Sequence, residues 1–292
     1  MPPMGVRTGV LFAFVALFGW AFGDFFIQKT TRVMGWYKTM FLIGIAGFFG
    51  LLPFAVDELA RYTFAEYLSL AALSVIILLY VWALFEALRR GKISIVESVV
   101  AIELPFTVSL SVLFGGESFT LNQGFLFLII CLGIVLAATK QLDHFKNRKH
   151  LLEKGVLLAF FGSFLSALTN FYIGTFSHSI SPIVVIWFTQ SALAALCGTY
   201  ILWKGEFASL WKDIRNHPSA SFAAATLDNA AWVGYAYATS FMPISLTVTI
   251  SENYIALAAL LGWFFGHERI RWHQVVGAGV AFIGVAILST TL

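Results

Sequence analysis

The sequence predicts an all-α integral membrane protein whose ten transmembrane helices form two inverted five-helix repeats. Three observations support this prediction: an apolar composition, ten separate apolar runs of membrane-spanning length, and a segment in the first half of the chain that recurs in the second half.

The composition is that of a membrane protein. Of the 292 residues, 59% are hydrophobic and only 11% are charged, and the mean hydropathy is +0.85. Average soluble domains contain roughly 25% charged residues. A water-soluble fold is therefore excluded, and we expect no nucleic-acid partner.

The apolar residues fall into runs that match the thickness of a membrane. A bilayer core of about 30 Å is crossed by roughly 20 apolar residues in a helix. Ten such runs follow one another, and the longest charged connection between them is residues 140–150. Spans 1 to 10 are predicted at about 8–28, 36–56, 66–88, 93–114, 120–140, 153–175, 181–203, 218–242, 244–266 and 271–290.

The positive charges of the loops predict an orientation. The loops after spans 1, 3, 5, 7 and 9 carry 16 of the 18 Lys and Arg residues, and only Arg7 and Arg61 lie elsewhere. Lys and Arg concentrate in cytoplasmic loops. The bias therefore predicts that both termini lie outside the cytoplasm. The expected location is the plasma membrane, which is the inner membrane if the source is a bacterium.

The two halves of the chain resemble each other. The stretch FGGESFTLNQGFLFLIICLGIVLAA at 114–138 matches FFGHERIRWHQVVGAGVAFIGVAIL at 264–288. Because each half has an odd number of spans, the halves cross the membrane in opposite directions, as in many transporters. We therefore expect two repeats, residues 1–145 and 146–292. A shift of 151 positions aligns Gly115 with Gly266, Glu117 with Glu268 and Gln123 with Gln274.

The same region resembles a known family. The stretch ELPFTVSLSVLFGGESFTLNQGFLFLIICLGIVLAA, with its early Pro105, its Gly-Glu pair and its Gln-x-x-Gly, is similar to the span 4–5 motif of EamA-type transporters in the drug/metabolite transporter superfamily. The second half departs twice: Ala256 replaces the proline, so no proline kink is expected in span 9, and His267 interrupts the Gly-Glu pair.

The resemblance implies a fold and a function. It implies ten helices around a central cavity, with spans 1–4 and 6–9 as its walls and spans 5 and 10 outside. It also implies transport of small molecules, with a substrate that varies among family members. Family members typically have cytoplasmic termini, which conflicts with the orientation that the loop charges predict.

Several carboxylates lie inside the predicted spans. A carboxylate near the centre of a bilayer costs roughly 2.5–3.5 kcal/mol, so such residues usually face a cavity or a partner. No Lys or Arg lies well inside a span to neutralise them, so a cavity that they line favours a cation or protons. The intramembrane acids are Asp24, Glu86, Glu97, Glu103, Asp228 and Glu252.

Helical spacing places aromatic rings beside some of these acids. Residues three or four positions apart share a helix face. Trp20 precedes Asp24 by four positions, and Trp82 precedes Glu86 by four. A ring face beside a carboxylate suits an organic ammonium ion. The predicted substrate-binding residues are Trp20, Asp24, Trp82, Glu86, Glu103, Asn170, Asp228, Trp232, Tyr235, Thr249, Glu252 and Asn253.

Structural explanations of the same residues stay open. Tryptophans also form belts at membrane interfaces. Asp24 and Glu86 lie near helix ends, where they can reach water. Glu103 lies close to Pro105, whose missing amide frees a backbone carbonyl, so a structural role for Glu103 is also open.

The motifs exclude several function classes. The sequence contains no nucleophile paired with a base, no P-loop and no histidine cluster with ligand spacing, so we expect no enzyme, cofactor or metal. The favoured hypothesis is a secondary transporter of a cationic or zwitterionic amine, such as an amino acid or a quaternary ammonium compound. The alternatives are an exporter of aromatic or neutral metabolites or drugs, and a channel. Expected partners are the small-molecule substrate, lipid and protons, with either a monomer or a homodimer.

Overall fold

The computed structural model describes residues 4–90, 99–139, 154–266 and 271–290. All regular secondary structure within these ranges is helical. The helices are α1 (Met4–Met34), α2 (Trp36–Leu59), α3 (Phe64–Arg90), α4 (Glu103–Leu113), α5 (Leu121–Ala138), α6 (Lys154–Ser179), α7 (Pro182–Trp203), α8 (Phe207–Asn216), α9 (Pro218–Phe241), α10 (Ile244–Ser251), α11 (Tyr254–Gly266) and α12 (Trp272–Thr290).

Eight membrane-spanning segments are long and apolar enough to cross a bilayer in the described part of the chain. They coincide with predicted spans 1, 2, 3, 5, 6, 7, 9 and 10. Helix α9 lies at span 8 and has 24 residues, but it is more polar. Helix α4 lies at span 4 and is apolar, but it has only 11 residues. The protein is therefore a multi-pass membrane protein, and the count of ten crossings stays a prediction.

Local sequence signals set several helix starts. Thr120 and Gln123 form a capping box at the start of α5, in which each side chain bonds the backbone N–H of the other. Pro182 and Pro218 occupy the first positions of α7 and α9, where a missing N–H costs nothing. Gly35, with φ of 84°, makes the turn between α1 and α2.

The helix pairs follow a two-fold pattern. Helix α1 packs along α9, and α3 packs along α6. These two pairs are equivalent in the two halves, because the first joins span 1 to span 8 and the second joins span 6 to span 3. The remaining main pairs, α2 with α7 and α5 with α12, each join equivalent spans of the two halves. In the α5–α12 pair, a Cβ added to Gly133 would lie 2.7 Å from the backbone of Ala281, so glycine permits this approach.

Spans 4 and 9 are both broken, at equivalent positions. Turns interrupt the helical backbone at residues 101–102 and at residues 252–253, which lie 151 positions apart. The expectation of no proline kink in span 9 did not anticipate this break. Discontinuous helices of this kind occur at the binding sites of many secondary transporters.

The two breaks have different chemical causes. Pro105 lies in the first turn of α4, where its missing N–H leaves the carbonyl of Ala101 without a helical partner. In span 9, the backbone N–H of Asn253 donates to Ile250 instead of Thr249, and the side-chain amide of Asn253 donates to the Thr249 carbonyl at 2.8 Å. The asparagine side chain thus replaces the backbone bond that the turn removes.

A carboxylate from the first half caps α10. The side chain of Glu117 accepts hydrogen bonds from the backbone N–H groups of Ile244 at 2.6 Å and Ser245 at 2.9 Å. The residue before α10 is Pro243, and its side chain makes no capping bond. Glu117 therefore supplies the negative charge that a helix N-terminus favours, from a position 127 residues away.

A second contact between the halves lies near the start of α2. The buried Lys38 pairs with Glu206 at 3.2 Å and with Asp213 of α8 at 3.4 Å. The hydroxyl of Tyr37 also donates to Glu206, and these bonds lower the pKa of the Glu206 carboxyl below its usual range. Helix α8 is amphipathic, with Leu210 buried and Trp211 exposed, as in helices that lie along a membrane surface.

Candidate functional site

A cavity of about 960 Å³ lies between the two halves. It is lined by the second half of α1, by α2, α3, α6, α7, α9 and α11, by the ends of α4, α5 and α10, and by the start of α12. Spans 5 and 10 therefore reach the cavity through Ala137, Ala138 and Gln274, whereas the family resemblance implied that they lie outside it. The cavity reaches the surface at the exposed side chains of Gln28 and Arg32. Its lining contains Glu103 at the start of α4 and Glu252 just after α10, but none of the residues 104–117 or 244–251. The packed pair α4–α10 therefore bounds the cavity on the side away from Arg32.

One group of polar side chains lies at the helix breaks, and we call Glu103, Ser166, Asn170 and Glu252 the Glu103 group. The Ser166 hydroxyl donates to Glu103 Oε1 at 2.6 Å. The Asn170 amide donates to Glu103 Oε1 at 2.7 Å and approaches Glu252 Oε1 at 3.4 Å. The Asn170 amide thus lies within hydrogen-bonding distance of two carboxyl groups from different halves of the chain.

The carboxyl groups of the Glu103 group are almost completely shielded from solvent. Glu103 is 6% exposed and Glu252 is 2% exposed. The second oxygen of Glu252, Oε2, is buried and has no hydrogen-bond partner in the described part of the chain. A buried carboxylate oxygen without a donor is costly, so this position is suited to a ligand that donates hydrogen bonds.

A second group lies on α1, α7 and α9, and we call Asp24, Gln190 and Asp228 the Asp24 group. The Gln190 amide donates to Asp228 Oδ2 at 3.5 Å, at the limit of hydrogen bonding. Asp24 is close enough to Asp228 for the two carboxyl groups to interact electrostatically. Both carboxyl groups are half-buried, whereas Gln190 is buried and its Oε1 has no partner among the described residues.

Aromatic rings lie beside the Asp24 group. The Trp20 ring packs edge to face against Trp232 with a centroid distance of 4.9 Å. It also contacts Tyr254 and Tyr235, each at 5.7 Å. Trp20, Trp232 and Tyr254 line the cavity. Their ring faces can therefore contact a bound ligand directly.

The phenol of Tyr80 lies near both groups in the cavity lining. It lies within electrostatic range of all four carboxyls, those of Glu103, Asp24, Asp228 and Glu252. All four acids and Tyr80 line the same cavity, so the two groups surround one space.

The charge balance of this space is negative. Among the described residues that line the cavity, Arg32 is the one basic side chain, and it is exposed at the opening. The buried Lys38 is engaged by Glu206 and Asp213 away from the cavity. The described residues contain no group of His, Cys, Asp or Glu that could hold a metal ion. The arrangement can thus hold cations that donate hydrogen bonds, or protons.

Seven of the twelve predicted binding residues line the cavity, and five do not. Trp82 is 43% exposed on the outer surface of α3, and Glu86 lies outside the lining as well. Tyr235 is fully buried beneath Trp20 and donates to the carbonyl of Asn170 at 3.0 Å. Thr249 and Asn253 also lie outside the lining. The predicted residues that line the cavity are Trp20, Asp24, Glu103, Asn170, Asp228, Trp232 and Glu252.

Sequence reasoning missed several residues of the cavity. Ser166 lies four positions before Asn170 on α6, so the spacing rule that paired Trp20 with Asp24 would also have indicated it. Tyr80, Gln190 and Tyr254 carry no comparable signal, because single polar groups in apolar spans are common and none has a charged neighbour on its own face.

Comparisons with known proteins agree with this architecture. The chain matches the EamA-like transporter family twice, over residues 7–139 and 153–290. No significant match occurs among curated proteins. A crystal structure of another protein superposes with a TM-score of 0.70 at 15% sequence identity, over 97% of this chain and 98% of its own length. At this identity, the similarity shows a shared fold.

Proposed function

The chain belongs to the EamA-like transporter family, and from this membership we propose that it is a secondary transporter that moves a small metabolite by alternating access. The transport unit has ten crossings, with α4 and α9 crossing beside the eight apolar segments, in repeats 1–145 and 146–292 of opposite orientation. Support comes from the paired packing of equivalent helices and from the equivalent breaks in spans 4 and 9.

The proposed substrate is a cationic or zwitterionic amine, such as an amino acid or a quaternary ammonium compound. The observation that carries this proposal is the partnerless, buried Oε2 of Glu252 in a cavity with four carboxyls. A bound amine supplies the missing positive charge, and the ring faces of Trp20 and Trp232 stabilise it further.

Protons are the proposed second ion. Four ionised carboxylates around one apolar cavity repel each other strongly, so protons neutralise part of this charge when no cation is bound. Binding of an amine then releases protons, and transport couples to a proton gradient without ATP.

Transport of a neutral aromatic metabolite or drug is the second candidate. The cluster of Trp20, Trp232 and Tyr254 favours it, because these rings can stack on a flat ligand. A channel fits less well, because the α4–α10 pair bounds the cavity on one side. A channel would also conduct without saturation, whereas a carrier saturates.

Uptake into liposomes tests the proposed function. Purified protein in vesicles without ATP should take up at least one organic amine from a panel of an amino acid, tetraethylammonium and primary aliphatic amines. The uptake rate should saturate and should depend on the substrate gradient. Strict dependence on ATP, or a flux that rises without saturation, would contradict a secondary carrier. Uptake of neutral aromatic compounds but of no amine would select the second candidate.

The orientation is tested separately. The loop charges predict that a reporter fused to the carboxyl terminus is non-cytoplasmic, whereas the family pattern predicts a cytoplasmic one. A cytoplasmic reporter would reverse the orientation and leave the proposed transport unchanged.

A further inference from the structure

Two buried oxygen atoms in the cavity have no hydrogen-bond donor. Glu252 Oε2 belongs to the Glu103 group, and Gln190 Oε1 belongs to the Asp24 group. Glu252 is 2% exposed and Gln190 is 4% exposed, and both side chains line the cavity. Each acid group therefore contains one acceptor that nothing in the described part of the chain satisfies, a carboxyl oxygen in the Glu103 group and an amide oxygen in the Asp24 group.

This combination matches an ammonium group at each acid group. An ammonium ion has three N–H donors and no acceptor. At the Glu103 group it can donate to Glu252 Oε2 and to Glu103. At the Asp24 group it can donate to Gln190 Oε1 and to Asp24 or Asp228. The same chemistry is thus available twice in one cavity.

The lining offers little to a substrate carboxylate. Arg32 is the one basic side chain among the described lining residues, and it lies at the exposed opening. A zwitterion bound by its amine at one acid group would direct its carboxylate toward the other acid group or toward the rings, where it would be repelled or left without a donor.

The two acid groups lie around one continuous space. Tyr80 is within electrostatic range of the carboxyls of both groups. The rings of Trp20 and Tyr254 lie along the same cavity and provide an apolar surface. A short aliphatic chain can therefore lie along the rings while its two ends reach the two acid groups.

We propose that the transported amine is an aliphatic diamine, with one ammonium bound at the Glu103 group and the other at the Asp24 group. This inference rests on the proposed transport of amines and specifies its substrate class. It distinguishes a diamine from an amino acid and from a compound with a single quaternary ammonium.

Three ligands of equal chain length test the inference. Diaminohexane, aminohexanol and aminohexanoate differ only at one end, which is cationic, neutral or anionic. Calorimetric titration of the purified protein should show that the diamine binds at least fivefold more tightly than the amino alcohol, and that the amino acid binds most weakly. Diaminobutane and diaminooctane then determine which chain length binds best.

Variants at the two ends test where each ammonium binds. Glu252→Gln and Asp228→Asn remove charge from different groups, and each should reduce the preference for diaminohexane over aminohexanol to about one. Gln190→Met removes the acceptor without changing charge and should halve that preference or reduce it further. Asp57→Asn removes an exposed carboxylate of α2 outside the cavity and should leave the preference unchanged.

The outcomes separate this inference from the proposed function. If aminohexanol binds as tightly as diaminohexane, the diamine assignment is wrong and amine transport stands. If no amine binds to a well-folded protein, both are wrong. If Glu252→Gln does not fold, as judged by thermal unfolding, the preference in Asp228→Asn and Gln190→Met decides: a preference unchanged in both would overturn the inference.

Discussion

The Glu103 group and the Asp24 group face the same cavity but differ in their contact with water. In the Glu103 group the two carboxyls are buried, Glu103 accepts from Ser166 and Asn170, and the Asn170 amide also approaches Glu252. In the Asp24 group the carboxyls are half-buried, and the hydrogen bond from Gln190 to Asp228 is long, at 3.5 Å. A charge in the first group is therefore desolvated and fixed, whereas a charge in the second is partly screened.

This difference indicates two roles in one binding event. A desolvated carboxylate without a full set of donors gains most from a bound cation, because the cation replaces missing solvation. A partly hydrated carboxylate gains less from a bound cation, because water already stabilises part of its charge. We therefore expect the Glu103 group to determine affinity and the Asp24 group, nearer to the exposed end of α1, to contribute to attraction and orientation.

The largest effect is expected from Glu252→Gln. The substitution keeps the shape and removes the charge, and we expect amine affinity to fall about ten- to 150-fold, or roughly 1.5–3 kcal/mol. Thermal stability should hold, because a neutral amide is less costly to bury than a carboxylate. Affinity and melting temperature are measured on the same purified protein. Unchanged affinity in a well-folded variant would remove Glu252 as the counter-charge of the substrate.

Asp228→Asn is expected to have a smaller effect that depends on salt. Affinity should fall about five- to tenfold, or roughly 1–1.4 kcal/mol, since this half-buried carboxylate keeps part of its hydration. Salt screens exposed charges more than buried ones. Titrations at low and high ionic strength should therefore show that Asp228→Asn loses more of the salt dependence than Glu252→Gln does. Equal salt dependence in both variants would contradict the contrast between the groups.

Glu117→Gln should affect stability, because Glu117 caps α10, the helix that leads to Glu252. Replacing the carboxylate at a helix N-terminus by a neutral amide is expected to lower the free energy of unfolding by about 1 kcal/mol. Thermal unfolding measures this change, and Asp57→Asn is the matched control for loss of an exposed carboxylate. A variant as stable as the control would show that the cap contributes little.

The smallest effects are expected from the tryptophans, in a matched pair. Trp232→Ala removes a ring from the cavity and should weaken amine binding by roughly 0.5–1 kcal/mol, about two- to fivefold. Trp82→Ala removes a ring from the outer surface of α3 and should leave affinity unchanged, although both residues lie four positions from an acid. A larger loss in Trp82→Ala would contradict the placement of the cavity on the other face of α3.

The comparison of Trp82 with Tyr80 shows where sequence reasoning reaches its limit. Both are aromatic residues of α3, two positions apart. The sequence predicted the face of Trp82 to line the site, because Glu86 lies four positions further along the helix. Helices of a membrane protein are apolar on the face toward lipid and on the face toward other helices, so periodicity gives little information about direction. The neighbours of α3 decide which face meets the cavity, and these are α6 and α7.

The break in span 9 shows a second limit. Pro105 has a chemical property, the missing N–H, that predicts a disturbed helix from one residue. Asn253 disturbs its helix only because its amide can bond the Thr249 carbonyl at a buried turn, which depends on tertiary contacts. Local rules therefore gave a reason for one of the two equivalent breaks and not for the other.

The sequence by itself determined the membrane class, the two-fold repeat and the family. Bilayer thickness requires long apolar runs, and the repeat can be found by aligning the two halves of the sequence. The sequence also indicated which residue types carry the chemistry, since a carboxylate inside a span is costly wherever it points. Only the tertiary structure decided which of these acids meet. Glu103, Asn170 and Glu252 lie 67 and 82 positions apart along the chain and share one amide, and such a contact depends on how three helices pack, which no local pattern in the sequence encodes.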